Sequence, residues 1–403
     1  MRNILRLILL ASIGFLLTVG SAKAQIADGV IVGTVHDASQ GVIPTAKITA
    51  VHLATGQTFT TQTSSSGDYE FSGLPVGVYR LEAGAANFET SVRDGIVLEV
   101  GRTIRIDFSL NVGQVTQRTV VRAEAPLVDT EGATVGQVIN NRQVESLPLN
   151  GRDWLTLTTL VPGVLPTANN IQGGGIHALN FLTRGLRRSD NVVYLNGALI
   201  IQGNGGTTFY PNIDAVQEFQ IKSGLYDAEL GIMPGVQVVA VTKTGTNHLH
   251  GDIFEFLRND KLDAVNYFAQ SNLPYKRNEY GGTVGGPIYI PHVFNGKDKG
   301  WFFVSYQMDS IRQFAALTGV VPTDQEKQGI FSTPIIDPNT GQPFANNTIP
   351  TDRISLVAQK FLQFWPEPNT AGPLNFTSPN TSVAVDSPQW MSRADFDRTK
   401  TDR

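Results

Sequence analysis

Residues 103–110 read TIRIDFSL, and every second position is apolar. Ile104, Ile106, Phe108 and Leu110 fall on one face of an extended chain, and Thr103, Arg105, Asp107 and Ser109 on the other. Period-two alternation with a single apolar face predicts a strand in a sheet packed on one side. The same texture runs through residues 26–112. There "GVIVGTVHD", "AKITAVHLATGQTFTTQT" and "GDYEFSGLPVGVYRLEA" are short β-rich runs split by Gly, Pro, Asn and Asp. About seven strands in this length predict a β-sandwich. Within it "SGDYEFSGLPVGVYRL" predicts a hairpin whose Leu-Pro-Val-Gly turns and whose aromatic residues enter the core.

After residue 112 the pattern changes. A connector over residues 113–130 contains "RTVVRAEAPLV" (residues 118–128), which begins β-branched and ends on a charge and a proline. Residues 131–246 mix periods. "NRQVESL" predicts a short helix, with Pro148 placed to end it. "NFLTRGLRRSDNVVYLNGALI" predicts a strand, a basic turn and a second strand. "IDAVQEFQIKSGLYDAELGIMPGVQVVAVTKTGT" predicts a short helix, a strand, a turn and an apolar strand.

From residue 247 to 403 the runs lengthen. "HGDIFEFLRND", "NEYGGTVGGPIYI" and "GWFFVSYQMDSIRQ" are near the length of a tilted transmembrane strand. Phe254, Phe256, Tyr280, Trp301, Phe302, Phe303 and Tyr306 crowd them, as interfacial aromatic belts do. The connection at 291–299 is short, and the one at 313–389 is long and rich in Pro, Asn and Thr. Short periplasmic turns and long external loops place 291–299 inside and 259–277 and 313–389 outside. A further strand begins in "QWMSRADFDRTKTDR", where Trp390, Ser392 and Ala394 alternate with Met391, Arg393 and Asp395. Three strands and the start of a fourth cannot enclose a lumen. The expectation is therefore an N-terminal fragment of a larger barrel, not itself competent for transport.

Composition narrows the setting. Arg2 and Arg6 precede the apolar run "LRLILLASIGFLLTVG", and Ala22-Lys23-Ala24 forms a small-x-small cleavage site. Residues 1–24 are thus expected to be a secretory signal, cut before Gln25. The exported chain has no cysteine and gains nothing from disulfides. Beyond the signal no apolar run approaches the roughly 20 residues of a membrane helix, so any span must be a barrel. A net charge of −4 gives no footprint for nucleic acid.

Chemical motifs are scarce. The chain has no phosphate loop, nucleophile elbow, dinucleotide fingerprint or zinc-protease motif. "GGTVGGP" (residues 281–287) is glycine-dense in the manner of a strand that other backbone approaches closely. His248 and His250 would share one side of a strand but lack a convincing third ligand, which favours a polar strand end over a metal site. No catalytic residue, metal or cofactor is expected, and the chain is not expected to be an enzyme. "RGLRRSD" gathers Arg184, Arg187 and Arg188 near a turn, either as a solvated basic turn or as a loop that touches an anionic ligand.

Three family resemblances follow from these residues. Residues 26–112 resemble the carboxypeptidase-regulatory-like domain, a transthyretin-like sandwich, with Gly33, Pro44, Gly67, Tyr69, Phe71, Leu74, Pro75, Gly77 and Tyr79 at the family's spacing. Residues 131–246 resemble the plug domain of TonB-dependent outer-membrane receptors, in "LTRGL" with "NVVYLNGALI" and in "IDAVQEFQIKSGLYDAELG" leading into "VQVVAVTKTGT". Asn196-Gly197 stands where that family usually has Asp-Gly. "FEFLRND", "RNEYGGTVGGPI" and "WFFVSYQ" resemble the Oar-like receptors.

The resemblance implies a mainly β protein of the bacterial outer membrane: a periplasmic sandwich, a mixed α/β plug and the first strands of an incomplete β-barrel. It implies energy-coupled uptake of a nutrient, with outer-membrane lipid, a periplasmic TonB-type protein and a small ligand (iron chelate, oligosaccharide or peptide) as partners. It also implies a TonB box, a short peptide that pairs as a strand with TonB. Thr119, Val120, Val121, Arg122 and Ala123 are the candidates, with Pro126 ending the strand. The alternative is an exported protein that binds carbohydrate or another protein through its sandwich, anchored by the barrel.

Overall fold

The computed structural model describes residues 28–113, 118–122, 135–166, 181–183, 185–201, 207–224, 226, 230–265, 274–315, 318–378 and 381–397. The chain forms two compact units. One holds residues up to 254 with 281–307 and 389 onward, and the other holds 255–280 with 308–388.

The first unit opens with a sandwich of nine strands: β1 (Gly29–Asp37), β2 (Lys47–His52), β3 (Thr58–Gln62), β4 (Asp68–Leu74), β5 (Gly77–Gly84), β6 (Thr90–Leu98), β7 (Thr103–Arg105), β8 (Phe108–Leu110) and β9 (Arg118–Arg122). One sheet runs β4-β1-β7, with β8 also on β1; the other runs β3-β2-β5-β6-β9. Ile31, Val35, Ile48, Leu81 and Ile96 fill the space between them together with Tyr69, Phe71, Tyr79 and Phe108. The aromatic residues are therefore core, and they do not form an exposed platform of the kind a sugar site needs. Buried Tyr hydroxyls find carbonyls: Tyr69 donates to Ile106 at 2.5 Å and Tyr79 to Pro75 at 2.6 Å.

The single strand expected over residues 103–110 is two. Its apolar face is buried as predicted, but Asp107 interrupts the ladder. The carboxylate accepts the backbone N–H of Thr34 at 2.8 Å and its hydroxyl at 2.9 Å, replacing a backbone rung on β1. The second difference is β9, which lies in the expected connector and is the last strand of the second sheet.

A mixed α/β block follows: β10 (Val135–Ile139), β11 (Val164–Pro166), β12 (Phe181–Thr183), β13 (Val192–Leu195), β14 (Ala198–Leu199), β15 (Val216–Gly224) and β16 (Gln237–Thr242). Its main sheet runs β10-β15-β16-β13-β14, with β13 parallel to β16. All six residues of β16 are buried, the mark of a strand covered on both faces. The predicted helix is present as Asn141–Ser146, opened by a capping box from Asn140 and Gln143 and ended one residue before Pro148 at Leu147. Trp154 is fully buried against Phe219, with ring centroids 4.9 Å apart. The helix expected at "IDAVQ" is a single 3₁₀ turn, Ile213–Ala215, because Val216 already pairs in β15.

Four long strands form an open sheet in sequence order: β17 (His250–Asn259), β18 (Tyr275–Pro287), Gly300–Ala315 and Thr381–Phe396. On the third, Ser305, Gln307 and Asp309 are buried while Val304 and Tyr306 are exposed. Polar-in, apolar-out alternation is the pattern of an outer-membrane strand. The fourth begins at Thr381 rather than near Gln389, since Val383 and Val385 extend the alternation upstream. The glycines of β18 answer to crowding: a Cβ at Gly281 would lie 2.1 Å from the carbonyl oxygen of Tyr306.

In the second unit, half-buried Arg277 pairs with buried Asp309 at 2.6 Å and buried Glu279 at 3.1 Å. The long connection is not structureless. Helices Asp324–Lys327 and Leu356–Leu362 frame a cavity of about 440 Å³ lined by Val321, Phe331, Ile349, Ile354 and Leu362.

Gly33 sits where the carbonyl of Ile106 crosses β1; a Cβ there would lie 1.9 Å from that oxygen. Gly33→Ala must push Ile106 aside and break its bond from Tyr69. We expect a loss of about 2 kcal/mol or more, read as faster hydrogen exchange of the β1 and β7 amides. Unchanged exchange would show that the sandwich absorbs the methyl.

Candidate functional site

The candidate site is the place where sandwich, connector and α/β block meet, all within the first unit. β9 lies parallel to β6 in a complete register: Thr90 faces Arg118, Ser91 Thr119, Val92 Val120, Arg93 Val121 and Asp94 Arg122. Four of the five candidate box residues are therefore in an extended strand, and Ala123 lies outside the described residues. β-branched Thr119, Val120 and Val121 favour that conformation. The connector reaches β9 along the same edge of the sandwich: Glu89 N–H donates to Asn111 O at 2.9 Å and Gly113 N–H to Asn87 O at 3.1 Å.

β6 leads directly into a contact with the block. Val100 packs with Val138, Val192, Tyr194, Val239 and Val241, and Val76 joins from the β4–β5 turn. The Val100 N–H donates to the Glu218 carboxylate of β15 at 2.5 Å. Burial pushes Glu218 up from its ordinary 4.5 to about 7, against the pull of the Val100 bond. Glu99 nearby raises it further and Arg102 lowers it.

A second joint is built on Asn247, just before β17. Its Nδ2 donates to Thr55 O of the sandwich at 2.7 Å and to Asp298 Oδ1 at 2.5 Å. Its Oδ1 accepts from Asp298 N at 2.9 Å and Trp301 Nε1 at 2.9 Å. One amide thus ties the sandwich to the short turn at 291–299. The block is tied to the strands as well. Arg152 pairs with Asp214 and stacks 4.8 Å from the Phe254 ring centroid. Thr244 donates to Asp395 at 2.9 Å, and Arg393 Nη1 reaches Thr242 O at 3.3 Å.

The Asn196-Gly197 turn has positive φ at both residues, 49° and 80°, as a type I′ hairpin requires. Asn196 Nδ2 donates to Thr242 Oγ1 at 2.9 Å, a bond the aspartate usual at this position could not donate. Of the basic turn, Arg187 is exposed and its N–H donates to Asp190 at 2.9 Å. Arg188 opens the 3₁₀ turn Arg188–Asp190; its side chain and all of Arg184 lie outside the described residues, as do Ala22 and Ala24. His250 Nδ1 lies 2.9 Å from the carbonyl of His248, and among the described residues no His/Cys/Asp/Glu cluster could hold a metal. The junction residues Glu218 and Asn247 gave no local signal, since their partners lie far away in sequence.

This arrangement fits the domain families the chain matches. Residues 30–111 match the carboxypeptidase regulatory-like domain and residues 241–403 the outer membrane beta barrel domain. The class is thereby set: an outer-membrane β-barrel protein that carries an N-terminal regulatory-like sandwich. The chain is a homologue of the TonB-dependent transporter Oar of Myxococcus xanthus, 26% identical over 298 residues that cover 68% of this chain and 26% of that protein. It is thus similar to a TonB-dependent transporter over this stretch, and it spans about a quarter of that relative's length. Among solved structures it is similar to the siderophore receptor PirA from Acinetobacter baumannii (19% identity, TM-score 0.32) and the ferric enterobactin receptor PfeA from Pseudomonas aeruginosa (16% identity, TM-score 0.33). Each similarity covers 44% of this chain and 24% of the other.

Glu218 makes the junction pH-dependent. Its folded-state value lies above its ordinary one, so the folded protein holds this proton more tightly than the unfolded chain. The contribution of Glu218 to stability is fully present below pH 4.5 and is lost as pH rises through about 7, by about 3 kcal/mol in all. Glu218→Gln keeps an acceptor for Val100 and removes the charge. We expect denaturation midpoints at pH 5 and pH 8 to converge in this variant, mainly through a gain at pH 8. Equal pH sensitivity in variant and parent would exclude Glu218 as the source.

Proposed function

We propose that the chain serves energy-coupled uptake across the outer membrane, with residues 131–246 as the plug and residues 119–123 as the peptide engaged by a periplasmic TonB-type protein. The observation that carries this reading is the position of residues 118–122. They form an extended strand in the segment that joins the sandwich to the block. Extended backbone is what strand addition to a partner needs, because main-chain hydrogen bonds supply the affinity. The sidedness agrees. Asn247 binds both Thr55 of the sandwich and Asp298 of the short turn, which supports a sandwich at the short-turn end. In outer-membrane barrels short turns face the periplasm.

The ligand class stays at the level of a small nutrient taken from outside. Arg187, exposed in the basic turn, and the loop cavity lined by Val321, Phe331 and Leu362 are the surfaces of this chain offered for it.

Val120→Pro removes a backbone donor from the middle of the proposed peptide. We expect it to abolish capture of the protein by an immobilised TonB periplasmic domain, while leaving its amount in the outer membrane unchanged. Capture equal to that of the parent would remove residues 119–123 from this role.

A further inference from the structure

Four of the five residues proposed to meet the periplasmic partner already belong to a sheet of their own chain. β9 is hydrogen-bonded along its length to β6, as the last strand of the sheet β3-β2-β5-β6-β9. The other side of β6 is occupied by β5, from Gly77 opposite Leu98 to Ala83 opposite Ser91. Without β9, residues 90–94 of β6 would present an open sheet edge, a template for any extended segment. The chain upstream is held to the same edge, with Phe88 bridging Val112 in the antiparallel sense. The parallel register then takes in Arg118 through Arg122 without a slip.

We propose that β6 is a binding site in cis for the chain's own coupling peptide, and that the sandwich acts as a latch which holds residues 118–122 until a partner strand takes the place of β6. This deepens, and rests on, the reading of residues 119–123 as the coupling peptide. The mechanical position of β9 requires the exchange. A pull on residues 118–122 reaches the block directly only through the chain that follows them. While the β6–β9 ladder holds, the sandwich carries the load instead. A partner that is to act on the block must therefore free the segment, and it does so by supplying the backbone partners that β6 gives up. Cis occupancy lowers the apparent affinity of the partner by the fraction of time the segment is free.

The chain has no cysteine, so an introduced pair is unique. Arg93 and Val121 are register partners on β6 and β9, and neighbouring strands about 4.8 Å apart suit a disulfide. The test compares Arg93→Cys/Val121→Cys in oxidised and reduced forms for binding to a purified TonB periplasmic domain, with Val120→Pro alongside. We expect the oxidised form to bind at least about tenfold more weakly than the same protein reduced, and Arg93→Cys alone to be indifferent to oxidant. Equal binding by the oxidised and reduced forms, with Val120→Pro still defective, overturns the latch and leaves the peptide assignment standing, because the partner then adds beyond β9. Binding by Val120→Pro equal to that of the parent overturns both.

Discussion

Every backbone N–H and C=O that leaves water needs a partner, and in a protein made of strands this demand falls on the edges of sheets. The architecture follows from how each edge is met. In the sandwich, β1 takes two parallel partners in succession, and where the ladder fails between them the Asp107 carboxylate stands in for a carbonyl. In the second sheet, the edge of β6 is covered by a segment that local sequence would assign to a connector. In the block, β15 and β16 lie inside a five-stranded sheet and their residues are almost all buried. Strand propensity alone decides none of this; the placement of partners does.

The domains are held together by few groups, of which Glu218 is buried and Asn247 half-buried. Glu218 is buried beside an apolar cluster, which is why its proton is held so tightly, and the single backbone donor from Val100 only partly offsets this. Asn247 uses both ends of its amide on three separate segments. Each joint couples a sandwich loop to a strand terminus.

Much of this fold was legible in the residues. The apolar face of residues 103–110 is buried as its pattern predicts. The run NRQVESL and Pro148 delimit a helix found at Asn141–Ser146. What could not be read depends on distant partners. Asp107 breaks a strand only because Thr34, 73 residues earlier, offers it an N–H. Residues 118–122 look like a spacer because nothing local announces that residues 90–94 lie beside them. The long stretch rich in Pro, Asn and Thr hid two short helices, since their caps at Thr323 and Ser355 are brief signals in a polar background.

The parallel sense of β9 on β6 has a directional consequence. Strands torn apart sideways separate rung by rung, each at small cost. Strands slid along their common axis must lose every rung together. The five rungs between residues 90–94 and 118–122 therefore resist a lengthwise tug far more than a peel from one end. The angle from which a partner draws on this segment, and not only its strength, governs when the sandwich lets go.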